Sequence, residues 1–448
     1  MEIAIKLSQF LLSLSILIIL HELGHFIPAK LFKTRVEKFY LFFDIKYSLL
    51  KKKIGETEYG IGWLPLGGYV KISGMIDESM DTEQMAQEPQ PWEFRSKPAW
   101  QRLIIMLGGV TVNFILAFII YIGMTFYYGE KYIKSDSIKD GIWVTNPVVE
   151  KAGIKTGDRI VSIDGKKIER FTPAISGAIL MSNKVVVNRN GLDKEIDLPE
   201  NFIGQFIDEN KKNIIVLRMP FVVGGFADDS KNKAQLKEKD IIVSLNGEKF
   251  KYFDQAAPVL EASKGKKINA VVIRNQKEVP VVVEVNNKGK LGVGLASLTE
   301  SNLEKLGYYK FTIEKYGFLE SIPVGIDKGK SQLVDYWQQL KKIFNPSTGA
   351  YKGVGGFHAI YNVFPDSWSW EVFWSITALL SIMLGVMNLL PIPALDGGHV
   401  MFLLYEMISG KKPSDKFMEK AQLVGFVLLI SLLLFANGND IYKAIVGK

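Results

Sequence analysis

The sequence predicts a multi-pass α-helical membrane protein of four spans, with a duplicated β-rich insert outside the cytoplasm. Three observations predict it. Four apolar runs of spanning length interrupt a chain that is 23% charged. Lysines gather beside those runs. A sequence pattern in the long segment between runs two and three occurs twice. At 448 residues the chain is too long for one ordinary domain. Its formal charge of +8 comes without a basic stripe interleaved with aromatics, so no nucleic-acid partner is predicted. Its mean hydropathy is slightly positive. The absence of cysteine excludes disulfides, thiolate metal sites and a cysteine nucleophile.

The apolar runs are Ile3–Ala29, Leu103–Tyr128, Trp368–Leu395 and Leu423–Phe435, the last extended by its flanks. The first ends in His21, Glu22 and His25, not in a small-residue cleavage site, so it reads as a retained span. Lys30, Lys33, Arg35, Lys38, Lys46 and Lys51–Lys53 follow span one, and Lys411, Lys412, Lys416 and Lys420 follow span three. Both loops are therefore predicted to be cytoplasmic, with both termini and the segment from Glu130 to about Asp366 outside. Spans one and three then run in the same direction, and their C-terminal ends share a depth.

"HELGH", His21–His25, lies at that end of span one. Positions i and i+4 share a helix face, so His21 and His25 can bind one zinc ion with Glu22 beside it as general base. A glutamate at a span centre costs about 2.5–3.5 kcal/mol on insertion scales, so charged groups there call for function. Catalytic zinc needs a third ligand, and span three ends in "NLLPIPALDGGH", Asn388–His399. Asp396 is the expected ligand, because an intramembrane carboxylate is costly unless a cation neutralises it. His399 is expected to pack nearby, and His358 lies beyond the far end of the span. Pro391 and Pro393 break the helix before Asp396. Asn388 can donate to a substrate carbonyl or join two helices through its amide.

"HELGH", "NLLPIPALDGG" and "GGVTVNFILA" in span two together resemble the site-2 protease family of intramembrane zinc metalloproteases. The resemblance covers essentially the whole chain. It implies that His21, His25 and Asp396 hold one zinc ion, that Glu22 is the catalytic base and that Asn388 holds substrate. Implied partners are single-span membrane proteins, such as an anti-sigma factor or remnant signal peptides, and membrane lipid. The implied location is the bacterial inner membrane.

In the insert, "KAGIKTGDRIVSIDGKKI" (Lys151–Ile168) recurs as "KAQLKEKDIIVSLNGEKF" (Lys233–Phe250). Asp164-Gly165 and Asn246-Gly247 are hairpin-turn signals between apolar strands. The first copy resembles a PDZ domain; the second lacks two of its glycines, with Gln235 for Gly153 and Lys239 for Gly157. The resemblance implies a tandem of PDZ-like domains standing over the active site as a filter. Spacer domains, or modules that bind peptides by strand addition, are the alternatives.

Ser331–Phe344 carries Leu333, Val334, Trp337, Leu340 and Phe344 on one helical face, predicting an amphipathic helix on the outer membrane surface or beneath the PDZ pair. The glycines of "GVGGFHAI" suit either a gate hinge or a tight linker. On the cytoplasmic side, Thr57–Gly74 reads as two strands around Leu64–Gly68 and resembles the family's membrane-reentrant β-hairpin. A strand holding Tyr69, Val70, Lys71 and Ile72 can pair with an unwound substrate segment.

The expected division follows. Residues 1–29 are span one, 30–102 the cytoplasmic loop with the hairpin, and 103–128 span two. Residues 130–214 and 215–297 are the PDZ-like domains, and 298–366 amphipathic helices and gate linker. Residues 367–398 are span three, 399–421 a cytoplasmic loop and 422–441 span four. A membrane-anchored PDZ scaffold with a vestigial metal site is the rival reading. A di-iron oxidase or metal transporter would need more histidines than the four present.

Overall fold

A computed structural model describes residues 2–75, 87–209 and 213–446. Residues 76–86 of the expected cytoplasmic loop and 210–212 of the first expected repeat domain lie outside the described residues. The chain forms two units. One comprises 1–129, 315–343 and 352–448; the other comprises 130–314 and 344–351.

The first unit is built on helices α1 (Glu2–Leu31), α2 (Ala99–Tyr128), α3 (Phe318–Phe344), α4 (Trp370–Leu389), α5 (Asp396–Ser409) and α6 (Asp415–Val446). Helices α1, α2, α4 and α6 are long and apolar enough to cross a membrane, so the chain is a multi-pass membrane protein. Two glycine contacts set the helix spacing. A Cβ on Gly24 of α1 would strike the Gly108 carbonyl of α2, and one on Gly108 would strike the Gly24 carbonyl. Without a hydrophobic drive between helices in lipid, such close backbone contact is a main source of association.

Helix α4 stops at Leu389 and not at Leu395, because Pro391 and Pro393 cannot continue it. The chain then turns sharply and restarts as α5 at Asp396, within what the sequence suggested was span end and loop. Ala394 takes a left-handed φ of 76° in that turn, a strain of about 1–2 kcal/mol for a non-glycine residue. Gly397 and Gly398 let the new helix fold back against the carbonyls of Leu390 and Ile392, and Gly425 of α6 lies against the Pro393 carbonyl.

The amphipathic helix is longer than its apolar stripe. It begins at Phe318, and Ser321, Gly325, Gly329, Tyr336 and Leu340 are its buried residues. Gly325 lies against the Ile122 backbone and Gly329 against the Phe118 ring, so α3 runs tightly along α2. Tyr336 and Leu340 then bury with Ala117, Ile382 and Val386. Val334, Trp337 and Phe344 stay exposed. The small residues before Ser331 share in this docking, and they lie outside the apolar stripe that the sequence displays.

The expected β-hairpin is corrected in its pairing. Strands β1 (Val36–Leu41), β2 (Phe43–Ile54), β3 (Thr57–Leu64) and β4 (Tyr69–Ile72) form one sheet in the order β2-β3-β1-β4. The two predicted strands, β3 and β4, exist but do not pair with each other. Strand β1 lies between them, parallel to β3 and antiparallel to β4. The hairpin partner of β3 is β2, joined at Ile54 and Thr57. Four residues between β3 and β4 would suit a hairpin, so nothing local in the sequence shows that β1 intervenes. Strand β4 is left at the sheet edge.

The second unit holds the duplication. Strands β5 (Arg159–Ile163), β6 (Lys166–Lys167), β7 (Lys184–Arg189) and β8 (Leu192–Asp197) lie in the order β8-β7-β5-β6. Strands β9 (Ile241–Leu245), β10 (Glu248–Lys249), β11 (Lys267–Arg274) and β12 (Lys277–Glu284) repeat that order as β10-β9-β11-β12. Each copy has its own core, one around Val149, Ile154, Val185 and Val187, the other around Val223, Leu236, Val272 and Val283. In the first, Asp164 (φ 46°) and Gly165 (φ 78°) turn the β5–β6 hairpin; in the second, Asn246 (φ 50°) and Gly247 (φ 85°) do so. Both central residues lie at positive φ, as in a type I′ turn.

The repeated aspartates have partners that the sequence pattern leaves unmarked. Arg189 donates Nε to Asp158 Oδ1 at 2.6 Å and Nη2 to Oδ2 at 2.7 Å, while the Lys155 N–H also donates to Asp158. Arg274 and the Lys237 N–H hold Asp240 in the same way. Burial opposes the charge on Asp240, but Arg274 and that N–H outweigh it and hold the carboxyl below its usual range. The pair therefore supports the fold above the ordinary carboxylate range, and the support is lost as pH falls through the depressed value.

Where the first copy has Gly157 at φ 94°, the second keeps the turn with Lys239 at φ 69°. Left-handed backbone costs a non-glycine residue about 1–2 kcal/mol. Lys239→Gly should therefore raise stability by about 1 kcal/mol in thermal unfolding of the purified chain. An unchanged or lower midpoint would show that this turn carries no such strain.

Candidate metal centre

The site forms where α1, α2 and α5 meet. Because α1 is a continuous helix, His21 and His25 stand one turn apart on one face, with ring centroids 4.9 Å apart. That face is turned onto α2, where a Cβ on Gly109 would overlap both imidazoles. Glycine at 109 is thus the space in which the rings sit. The broken segment after α4 brings Asp396 to the same point.

Three side-chain atoms converge there. His25 Nε2 lies 3.3 Å from His21 Nε2. Asp396 Oδ2 lies 3.5 Å from His21 Nε2 and 3.4 Å from His25 Nε2. Metal bonds of about 2.0–2.1 Å in tetrahedral array set ligand atoms about 3.3–3.4 Å apart, so this near-equilateral triangle matches one face of a zinc tetrahedron. Asp396 Oδ2 is also buried without a hydrogen-bond partner among the described residues. A buried carboxylate oxygen left in that state is costly, and a cation at the centre of the triangle removes the cost. The residues fit a zinc ion.

The surroundings orient the rings. His25 Nδ1 lies 2.8 Å from the Ile105 carbonyl, which can only accept, so Nδ1 carries the proton and Nε2 faces the metal position with a lone pair. The Asn113 amide lies 3.0 Å from His21 Nδ1, and the Asn388 amide 3.3 Å from His21 Nε2. The sequence offered no role for Asn113; its signal was a polar side chain in the middle of a span. His399 is outside the triangle, 3.2 Å from the Gln422 amide. His358 is also outside it, stacked on Tyr361 in the short helix Phe357–Val363.

The triangle opens into a cavity of about 610 Å³. Glu22, half-buried, lines it with both histidines, Asn388 and Asp396. All four residues of β4 line it as well. Their side chains are occupied by the sheet. Ile72 is buried with Ala29, Val36 and Met106, and Val70 packs against that cluster. The Tyr69 hydroxyl donates to Asp44 at 2.8 Å, and Lys71 pairs with Glu37. Beyond β4 the described residues supply no further strand. The cavity thus sets an edge strand beside three side chains that could hold a metal ion and a fourth, carboxylate side chain.

Comparison with known proteins agrees with this arrangement. The sequence profile of peptidase family M50 matches residues 9–432. The chain is similar to the Regulator of sigma E protease of Haemophilus influenzae, with 28% identity across 98% of this chain and 99% of the relative. A Rickettsia conorii protein named "Putative zinc metalloprotease" is 27% identical across 96% of this chain and 97% of its own length. A protein of the same description from Campylobacter jejuni is 27% identical over 99% of this chain and 95% of its own. The chain therefore belongs to peptidase family M50, the site-2 protease family, and is a multi-pass membrane zinc metalloprotease.

Proposed function

We propose that the protein is an intramembrane endopeptidase that cuts single-span membrane proteins within the span, near the cytoplasmic leaflet. The observation that carries the reading is the triangle of His21 Nε2, His25 Nε2 and Asp396 Oδ2, with its orphaned carboxylate oxygen, on helices of spanning length. His21, His25 and Asp396 hold the zinc. Zinc at that position supplies the Lewis acidity that polarises a peptide carbonyl and makes water nucleophilic at neutral pH.

The remaining work falls to this chain's own groups. A transmembrane helix hides its peptide bonds in its own hydrogen-bond ladder, so the substrate must be extended before attack. The outer edge of β4 replaces the lost backbone bonds, with alternate residues among Tyr69, Val70, Lys71 and Ile72 contributing main-chain groups. The Asn388 amide donates to a substrate carbonyl. Glu22 accepts the proton of the attacking water and returns it to the amine leaving group as the peptide bond breaks.

The same reading places the protein in a bacterial inner membrane with both termini on the extracytoplasmic side. Lysine placement supports this orientation. The two β-rich repeats act as PDZ-like filters, admitting substrates already trimmed of bulky outer domains. Their shared strand order and turn geometry support a common origin by duplication. An anti-sigma factor or remnant signal peptides are the substrates implied by the resemblance in sequence.

Glu22→Gln should retain zinc but lose about 10²–10⁴-fold in cleavage of a model single-span substrate, as expected for loss of a general base. Turnover at the wild-type rate would exclude Glu22 from that role. The unwinding step has its own readout. Substrates with helix-weakening glycine or proline in the span should be cut faster than poly-leucine spans in the same vesicles, and equal rates would remove β4 pairing from the account.

A further inference from the structure

A histidine that binds zinc through Nε2 must carry its proton on Nδ1, and a buried Nδ1–H needs an acceptor. For His25 that acceptor is the Ile105 carbonyl. For His21 the atom facing Nδ1 is Asn113 Nδ2 at 3.0 Å, which a half-turn of the amide exchanges with Oδ1. Asn113 is completely buried in α2. Its main-chain carbonyl is occupied by the Ser381 hydroxyl, which donates to it at 2.7 Å. Its Oδ1 has no partner among the described residues.

An amide presents an acceptor on one side and a donor on the other, exchanged by a half-turn of the group. With Oδ1 toward the ring, Asn113 accepts the Nδ1 proton and leaves Nε2 open to a metal. With the NH₂ toward the ring, Asn113 donates to Nδ1, and the neutral imidazole carries its proton on Nε2, where no metal can bind. Helix association gives no separate reason for a buried amide here, since the Gly24–Gly108 contact already brings α1 and α2 together. We propose that Asn113 is a positioning residue that selects the zinc-binding tautomer of His21, completing on α2 the pair of acceptors begun by Ile105. The backbone of Gly109 also approaches the His21 ring and is the competing acceptor.

This inference rests on the zinc reading above, and the test separates the two. The full-length chain in detergent is stripped of metal, and its affinity for Zn²⁺ is measured by competition with a chromophoric chelator. Loss of a histidine's outer partner weakens metal binding about 10–100-fold, and Asn113→Leu should fall in that range. Asn113→Asp, whose carboxylate accepts the same proton, should restore wild-type affinity. A purely structural role for the amide would instead lower the melting temperature of the metal-free chain without rescue by Asp. His21→Ala should lose zinc altogether. If Asn113→Leu binds zinc like the wild type while His21→Ala does not, Gly109 suffices and the proposal is overturned. If His21→Ala also binds like the wild type, the zinc reading itself fails.

Discussion

The contact on which the structure depends is the crossing of α1 and α2 at Gly24 and Gly108. Neither glycine can carry a Cβ, because each meets the other's carbonyl. In lipid, backbone proximity of this kind stands in for the hydrophobic drive that packs helices in water. Its consequence is chemical as well as mechanical. It brings the His21–His25 face within reach of Gly109, the Ile105 carbonyl and the Asn113 amide. One helix supplies the donors and the other fixes their orientation. A larger residue at position 24 or 108 would separate the helices and with them every polar contact at the site.

The third donor arrives by a different device. Asp396 could not face the histidines from a straight continuation of α4. Two prolines end that helix, Ala394 accepts a left-handed backbone, and two glycines allow α5 to start against the broken segment. Irregular backbone at membrane depth is tolerated only where protein or water surrounds it, and here α6 covers the Pro393 carbonyl through Gly425. The break opens the cavity that Glu22 and β4 share. Stored strain and open volume therefore occur at one place, beside the His21, His25 and Asp396 triangle.

Much of this was legible in the sequence, for identifiable reasons. The chemistry of the site is short-range on each element: i, i+4 histidines on a helix, and an aspartate after a proline break. The spans are continuous apolar runs and the duplication is a direct repeat, and such signals survive without a structure. The misses are contacts with no local signature. The insertion of β1 between β3 and β4 depends on a parallel pairing, and the docking of α3 uses Gly325 and Gly329 as well as Leu333 and Leu340 of its apolar stripe. Arg189 and Arg274 were invisible as partners of the repeated aspartates because each pairing joins neighbouring strands far apart in sequence. Asn113 stood in plain view as a polar residue within a span, but its role needed the geometry of His21.

The central claim is that two imidazoles and one carboxylate of this chain bind a single zinc ion inside the membrane unit. X-ray absorption at the zinc edge, on the full-length protein loaded with one equivalent, tests it most directly. The account predicts two imidazole nitrogens and oxygen ligands at about 2.0–2.1 Å, with one imidazole contribution lost in His25→Ala. A spectrum without imidazole scattering, or one that His25→Ala leaves unchanged, would contradict it.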